Sequence, residues 1–249
     1  MKNYIVATCN KNIKINTMKY IDSHCHLGCG FDDAFARARD AGVWGCVLNA
    51  TKCDDWDNIV RIAKSNQNVC GAIGIHPWYV ESVPINWNGN MRILLDDNPY
   101  LIIGEVGLDK THGDLSVQEK IFVQTLEIAI QFNRAINIHC VHAWDIMLKI
   151  LKSYRTDLPK IVVHSFDGNA AAIRFDADLY FSYSPLIANS QFKRVRESLA
   201  MVQCDKILIE SDSVNIIDVL KSVRDVLKMR PDINADDIFN NSMGVFFNG

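Results

Sequence analysis

Tyr20-Ile-Asp-Ser-His-Cys-His26 reads as a strand that delivers two histidines. An aromatic and a β-branched residue favour extended backbone, and side chains two apart along a strand point the same way. His24 and His26 then reach together past a strand over 20–24, and two imidazoles converging on one point make half of a metal site. Taken alone, a His-x-His pair leaves two unrelated surface histidines as the lesser alternative, because short motifs are weak.

From residue 20 onward the chain alternates strand-like and helix-like runs without a linker. A helix over 31–41 is closed by Gly42, the residue type suited to the left-handed position after a helix. A strand over 43–49, a helix over 54–65 and a strand over 69–75 lead into His76-Pro77. A Pro-, Asn- and Trp-rich loop and a short helix over 91–97 precede a strand over 100–105. The next helix starts at the capping box Ser116-Val-Gln-Glu119. A strand over 135–139 is followed by a helix with Trp144, Met147, Leu148 and Leu151 at helical spacing. Strands over 160–164, 179–182 and 206–210 come next, with helices over 169–174, 191–201 and 216–228. The 191–201 helix is expected to bury Phe192, Val195 and Leu199, and a last helix covers 235–246. Eight successive strand-helix pairs predict one (β/α)8 barrel of the α/β class over 20–249, against the competing open doubly wound sheet. No Gly-x-Gly-x-x-Gly follows any strand, which removes the usual dinucleotide reading.

Composition agrees with one soluble domain. The 249 residues are 49% hydrophobic and 22% charged, and no apolar run reaches the ~20 residues of a membrane span. A net charge of −3 lacks the basic footprint of a dedicated nucleic-acid-binding domain, so a phosphodiester substrate would be held locally. Eight cysteines without a Cys-x-x-Cys pair read as reduced thiols, and a cytoplasmic location is expected. Residues 1–19 are polar and rich in lysine and asparagine, read as an N-terminal extension without a secretory signal. No obligate protein partner is evident.

In such a barrel the functional groups collect at the C-terminal strand ends. His24 and His26 follow the first strand, His76 the third, Glu105 the fourth, His139 the fifth, His164 the sixth and Asp212 the eighth. One strand-end histidine is ordinarily structural. Five histidines and two carboxylates aimed at one mouth would each need a separate partner in an apolar barrel, so a metal centre is the simpler account.

The successive segments Asp22-Ser-His-Cys-His26, Gly74-Ile-His-Pro77, Gly104-Glu-Val-Gly-Leu-Asp109, Ile138-His139-Cys140, His164-Ser-Phe-Asp-Gly168 and Ile209-Glu-Ser-Asp-Ser213 resemble, in this order, the motifs of the TatD-type metal-dependent hydrolases. That group lies within the amidohydrolase superfamily of distorted TIM barrels, and the resemblance spans about residues 20 to 246. It implies two divalent ions, one held by His24, His26 and Asp212, the other by His139 and His164, with Glu105 bridging them. Such a pair of cations activates water and neutralises phosphoryl charge. Asp212 can also act as general base, and Glu105 and Asp212 are the expected catalytic residues. His76 and Asp109 are expected on the substrate side, against the alternatives of a structural histidine and a loop cap. Trp78 and Tyr79 offer rings to a nucleobase or simply pack, and Glu210 is expected to support a ligand. Imidazole-rich donors favour Zn²⁺ or Mn²⁺, whereas the resemblance implies Mg²⁺.

The chain departs from the resembled pattern in places. Val141-His142 stands where many relatives carry an arginine after the fifth strand, Lys110 replaces an aromatic, and Val214 replaces a proline. The expected activity is hydrolysis of phosphodiester bonds in DNA by a metal-activated water. Hydrolysis of a small amide, ester or lactone by the same centre is the alternative.

Overall fold

The computed structural model describes residues 19–247. The expected extension over 1–19 lies, apart from Lys19, outside the described residues. Strands β1 (Tyr20–His26), β2 (Val43–Asn49), β3 (Val69–Ile73), β4 (Ile102–Asp109), β5 (Ile136–Val141), β6 (Ile161–Val163), β7 (Leu179–Tyr183) and β8 (Ile207–Ile209) form one parallel sheet in sequence order. Helices α1 (Phe31–Asp40), α2 (Trp56–Ser65), α3 (Trp87–Asp97), α4 (Leu115–Phe132), α5 (Trp144–Ser153), α6 (Ala170–Ile173), α7 (Lys193–Leu199) and α8 (Val219–Met229) follow the successive strands, and α9 (Ala235–Phe246) ends the fold. The sheet curls until β8 meets β1. The segment after β8 closes the circle, with the Asp212 amide donating to the His24 carbonyl at 3.0 Å and the His26 amide to the Ser213 carbonyl at 3.1 Å. The result is a nearly closed (β/α)8 barrel.

Two apolar cores follow from strand alternation. Side chains facing outward, such as Cys46, Leu48, Ile73 and Ile103, pack under the helices. Those facing inward, Val47, Cys70, Ala72, Ile102, Val162 and Leu208, fill the lower barrel, where Val245 and Phe246 of α9 join them as a plug. Asn241 holds α9 against β8 by donating to the carbonyls of Cys204 and Ile207. No helix among the described residues is long and apolar enough to cross a membrane.

Several expected boundaries shift, and the shifts matter for the site. β4 runs four residues past its expected end, and β1 and β5 extend through His26 and Val141. The β1–β2 ladder slips between Asp22 and Cys25, and the β4–β5 ladder between Ile103 and Val106. An irregularity of this kind re-aims a side chain without ending the strand, and His24 and Glu105 lie within the two slips. They point into the barrel mouth from inside their strands. β4 can continue because Gly107 has φ +152°, and a Cβ there would collide with the His139 backbone.

Other corrections are local. The helix expected to begin at a Ser116 capping box begins at Leu115, capped by Asp114. Its carboxylate accepts from the Ser116 amide at 2.8 Å and the Ser116 hydroxyl at 2.7 Å, a stronger acceptor than the serine oxygen. The third helix starts four residues earlier than expected, on buried Trp87. Phe192, expected to be buried, is 41% exposed because α7 starts only at Lys193 and leaves the ring on the preceding turn.

Candidate metal centre

Glu105 is the hub of the mouth. Its side chain is 2% exposed, and each oxygen faces a different set of rings. Oε2 lies 3.3 Å from His24 Nε2 and 3.8 Å from His26 Nε2. Oε1 lies 2.7 Å from His164 Nε2, 2.8 Å from His139 Nδ1 and 3.4 Å from His76 Nε2. Gly74 makes the approach of β3 possible, since a Cβ there would fall within 2.5 Å of the Gly104–Glu105 peptide. Asp212 completes the first set with Oδ1 3.4 Å from His26 Nε2.

These donors suit divalent cations. Four ligand atoms held tetrahedrally at about 2.0–2.1 Å from a zinc ion stand roughly 3.3 Å from one another. The spacings around Glu105 bracket that value. Both ring nitrogens of His24 are buried without a hydrogen-bond partner, as are His26 Nδ1, His139 Nε2 and His164 Nδ1. His139 Nδ1 and His164 Nε2 face each other at 3.0 Å while both address the same carboxylate oxygen. One proton cannot satisfy that convergence, whereas a cation serves all three atoms. Four groups of three side chains bring ligand atoms within 4.8 Å of one another: His24 with His26 and Asp212, His24 with Glu105 and His164, His76 with Glu105 and His139, and His164 with Glu210 and Asp212.

The charges are mutually dependent. Burial alone would raise the Glu105 carboxyl, but His164 and His24 beside it, with hydrogen bonds from His139 and His164, hold it well below its usual range. Burial works against a charged His164, yet the Glu105 carboxylate and Glu210 hold its ring well above the ordinary histidine value. His26 is raised because Asp212 and Glu105 outweigh its burial. His24 is lowered, chiefly by complete burial. His76 is pushed down to about 3, mainly by burial, and stays neutral. The Asp212 carboxyl, which burial would raise, is held low by the His26 hydrogen bond and the nearby His164 and His24.

Backbone strain gathers at the same rim. Ser165, next to His164, and Asp212 both occupy the left-handed region at φ 41° and 49°, and His142 does so at 54°. The supporting bonds are specific. Glu210 Oε1 accepts from the Ser165 amide at 2.6 Å and lies 3.6 Å from His164 Nδ1, consistent with the expected support. Asp22 Oδ1 accepts from the amides of Ser211 at 2.9 Å and His24 at 3.2 Å, tying the Asp212 turn to β1.

The structure brings all eight expected site residues to one mouth, in two layers. Glu105, His24, His26, His139, His164 and Asp212 form the ring described above. His76, expected only on the substrate side, stands among the donors as well. Asp109 sits behind His139, 3.7 Å from Nε2, and accepts from Trp78 Nε1 at 2.7 Å and the Thr111 amide and hydroxyl at 2.8 and 2.6 Å. It thus caps a loop and buttresses a ring at once. Trp78 is half exposed and stacks on His112 at 4.9 Å. Lys110, which follows the longer β4, pairs with Asp145 at 2.7 Å, away from the ring. Cys25 donates to the Val47 carbonyl and faces away, as strand alternation predicts. Leu186, Phe192 and Lys193 border His139, His164 and Asp212 in one cleft. Sequence reasoning missed their role, since Phe192 reads as a buried position of a 191–201 helix, and Leu186 and Lys193 carry no distinguishing pattern.

Comparison with known proteins places this arrangement. A family model described as TatD related DNase matches residues 21–218. An uncharacterized metal-dependent hydrolase of Buchnera aphidicola subsp. Baizongia pistaciae is 29% identical over 210 residues, 79% of this chain and 78% of that protein. The 3'-5' ssDNA/RNA exonuclease TatD of Salmonella typhimurium is 28% identical over 188 residues, 73% and 72% of the two chains. Among solved structures, YJJV, a TatD homolog from Escherichia coli k12, superposes with a TM-score of 0.84 at 21% identity, over 92% of this chain and 98% of that one. The chain belongs to the TatD related DNase family and is a metal-dependent hydrolase of the nuclease type.

Proposed function

We propose that this chain hydrolyses phosphodiester bonds in DNA, with two divalent ions held by His24, His26 and Asp212 on one side and by His139 and His164 on the other, Glu105 shared between them. The observation that carries this reading is the Glu105 carboxylate, whose two oxygens address two separate sets of imidazoles. Zn²⁺ and Mn²⁺ suit the imidazole donors, and Mg²⁺ is the third candidate. The chemistry such ions supply when bound is Lewis acidity, which lowers the pKa of water and offsets charge developing on a phosphoryl oxygen.

The protein's own groups do the rest. Asp212 has a side chain 33% exposed, against 2% for Glu105 and 0% for Glu210, so it is the carboxylate of the mouth that an attacking water and a substrate can reach. It takes the proton of that water. His76, neutral and close to Glu105, stands where it can hydrogen-bond a phosphate oxygen or leaving group, and Asp109 orients His139. The names of the TatD relatives, exonucleases on single-stranded DNA and RNA, support a nucleic-acid substrate. The cysteines among the described residues are all free, which supports a reducing, cytoplasmic setting.

The apolar wall of Leu186 and Phe192 beside the centre favours one other reading, a small amide, ester or lactone as substrate. The two readings separate with end-labelled single- and double-stranded DNA, tested with and without chelator across an ionic-strength series, alongside elemental analysis. Nuclease action predicts chelator-sensitive cleavage that weakens steeply with salt. Metal-loaded protein that leaves DNA intact while hydrolysing a neutral amide, ester or lactone at a salt-independent rate would replace the first reading with the second.

A further inference from the structure

The donor ring opens on one side into a cleft of about 570 Å³, bounded by the end of β5, the turn after β6 and the start of α7. His139, His164 and Asp212 stand in its lining, so the cleft is continuous with the donor ring. Another part of its lining is apolar and open to solvent, with Leu186 44% and Phe192 41% exposed. An aromatic ring presented to water directly beside a cluster of ionisable groups is placed for a ligand that is part apolar and part anionic.

The charges of the cleft single out one group. Asp167 is engaged by the Arg194 guanidinium, which also donates Nε to the Asp167 carbonyl, and its carboxylate further accepts from Trp144 Nε1 at 3.0 Å. The β5 wall contributes Val141 and His142 and no permanent cation. Lys193, adjacent to Phe192, has no ion pair among the described residues. The start of α7 just after Phe192 is held against the turn after β6, since Arg194 is tied to Asp167 and a Cβ at Gly168 would collide with the Arg194 backbone. An exposed ring and an ammonium without an ion pair on neighbouring residues, beside a phosphate-hydrolysing centre, match the alternation of base and phosphate along a nucleic-acid strand.

We infer that this cleft is a nucleotide subsite, in which Phe192, with Leu186, stacks the base next to the scissile phosphate and Lys193 contacts the neighbouring phosphate. The inference rests on the phosphodiesterase reading above. A base inside a duplex has both faces covered by its stacked neighbours, so the subsite favours unpaired strands over duplex interiors.

The test uses the full metal-loaded chain and three substrates: a short single-stranded DNA, the same strand built of abasic residues, and methyl 2,2,2-trifluoroethyl phosphate, which carries a phosphodiester and neither a base nor any other ring. Phe192→Ala is expected to raise KM for the DNA roughly 5- to 150-fold, with a far smaller effect on hydrolysis of the small diester, and Phe192→Trp to restore it. The abasic strand should not distinguish wild type from Phe192→Ala. Lys193→Ala is expected to lower the slope of log affinity against log salt by about 0.7, with Lys193→Arg retaining the wild-type slope. Wild-type KM and salt slope in both alanine variants would overturn the subsite while the nuclease reading stands. An equal loss on the small diester would also overturn it, by showing damage to the centre. A wild-type chain inert toward DNA and small diester alike would remove the parent reading and the subsite together.

Discussion

Replacing Glu105 by glutamine keeps the shape of the hub and removes its charge. The carboxylate reaches His24 and His26 with one oxygen and His139, His164 and His76 with the other. An amide has one acceptor oxygen, which is neutral, and an NH2 that cannot ligate, so both sets lose an anionic donor and in either orientation one of them loses its oxygen altogether. Mutation of residues that merely orient a ligand costs about 10- to 100-fold in metal affinity. Glu105 faces both sets directly, so a loss of at least ~100-fold is expected at one ion or both. At a free metal concentration of about 100 times the wild-type Kd, each ion stabilises the native state by ~2.7 kcal/mol, and a 100-fold weaker site contributes only ~0.4 kcal/mol. For a chain of this size ~1 kcal/mol moves the melting temperature by about 2–4 °C. Metal should therefore raise the wild-type melting temperature by roughly 5–11 °C per ion, and each impaired site in Glu105→Gln should give only about 1–2 °C. Thermal denaturation with and without metal, paired with elemental analysis, measures this. Two ions retained in the variant with an undiminished thermal shift would refute the hub role of Glu105.

Three further outcomes are expected. Asp212→Asn should lower kcat by about 10²- to 10⁴-fold with near-wild-type KM and an unchanged circular dichroism spectrum, and wild-type turnover in that variant would remove Asp212 from the proton-accepting role. Metal loading should weaken as pH falls, because the raised His164 and His26 keep their protons to higher pH than ordinary histidines and a ligating imidazole must be neutral. Affinity then drops about tenfold per pH unit for each proton displaced. In the metal-free protein the sign reverses. The Glu105–His164 pair contributes stability that is present below the unfolded histidine pKa and is lost as pH rises through the raised folded value. Calorimetric titration and melting curves across pH measure the two trends, and a metal affinity that is flat in pH would contradict the assignment of these rings as ligands.

How far the sequence carried each feature depends on the range of the interactions behind it. The eightfold alternation was legible because strand and helix periodicities are local, and the ring residues because they sit near strand ends one after another. The exact reach of β1, β4 and β5 was not, since it is set by ladder slips against neighbouring strands. Ser116 illustrates the same limit on a small scale, where a nearby carboxylate displaced a sound capping box.

By itself the sequence determined an α/β barrel, a mouth rich in imidazole and carboxylate, and the residues that populate it, because residue type and spacing encode secondary structure and donor chemistry directly. Only the tertiary structure decided which oxygen of Glu105 faces which rings, that His76 stands among the donors, that Asp109 buttresses His139, and that Phe192 lies open beside Lys193 rather than buried. The first three relations join strands far apart in the chain and exist only once barrel closure has fixed their side chains against one another, while the last follows from where α7 begins.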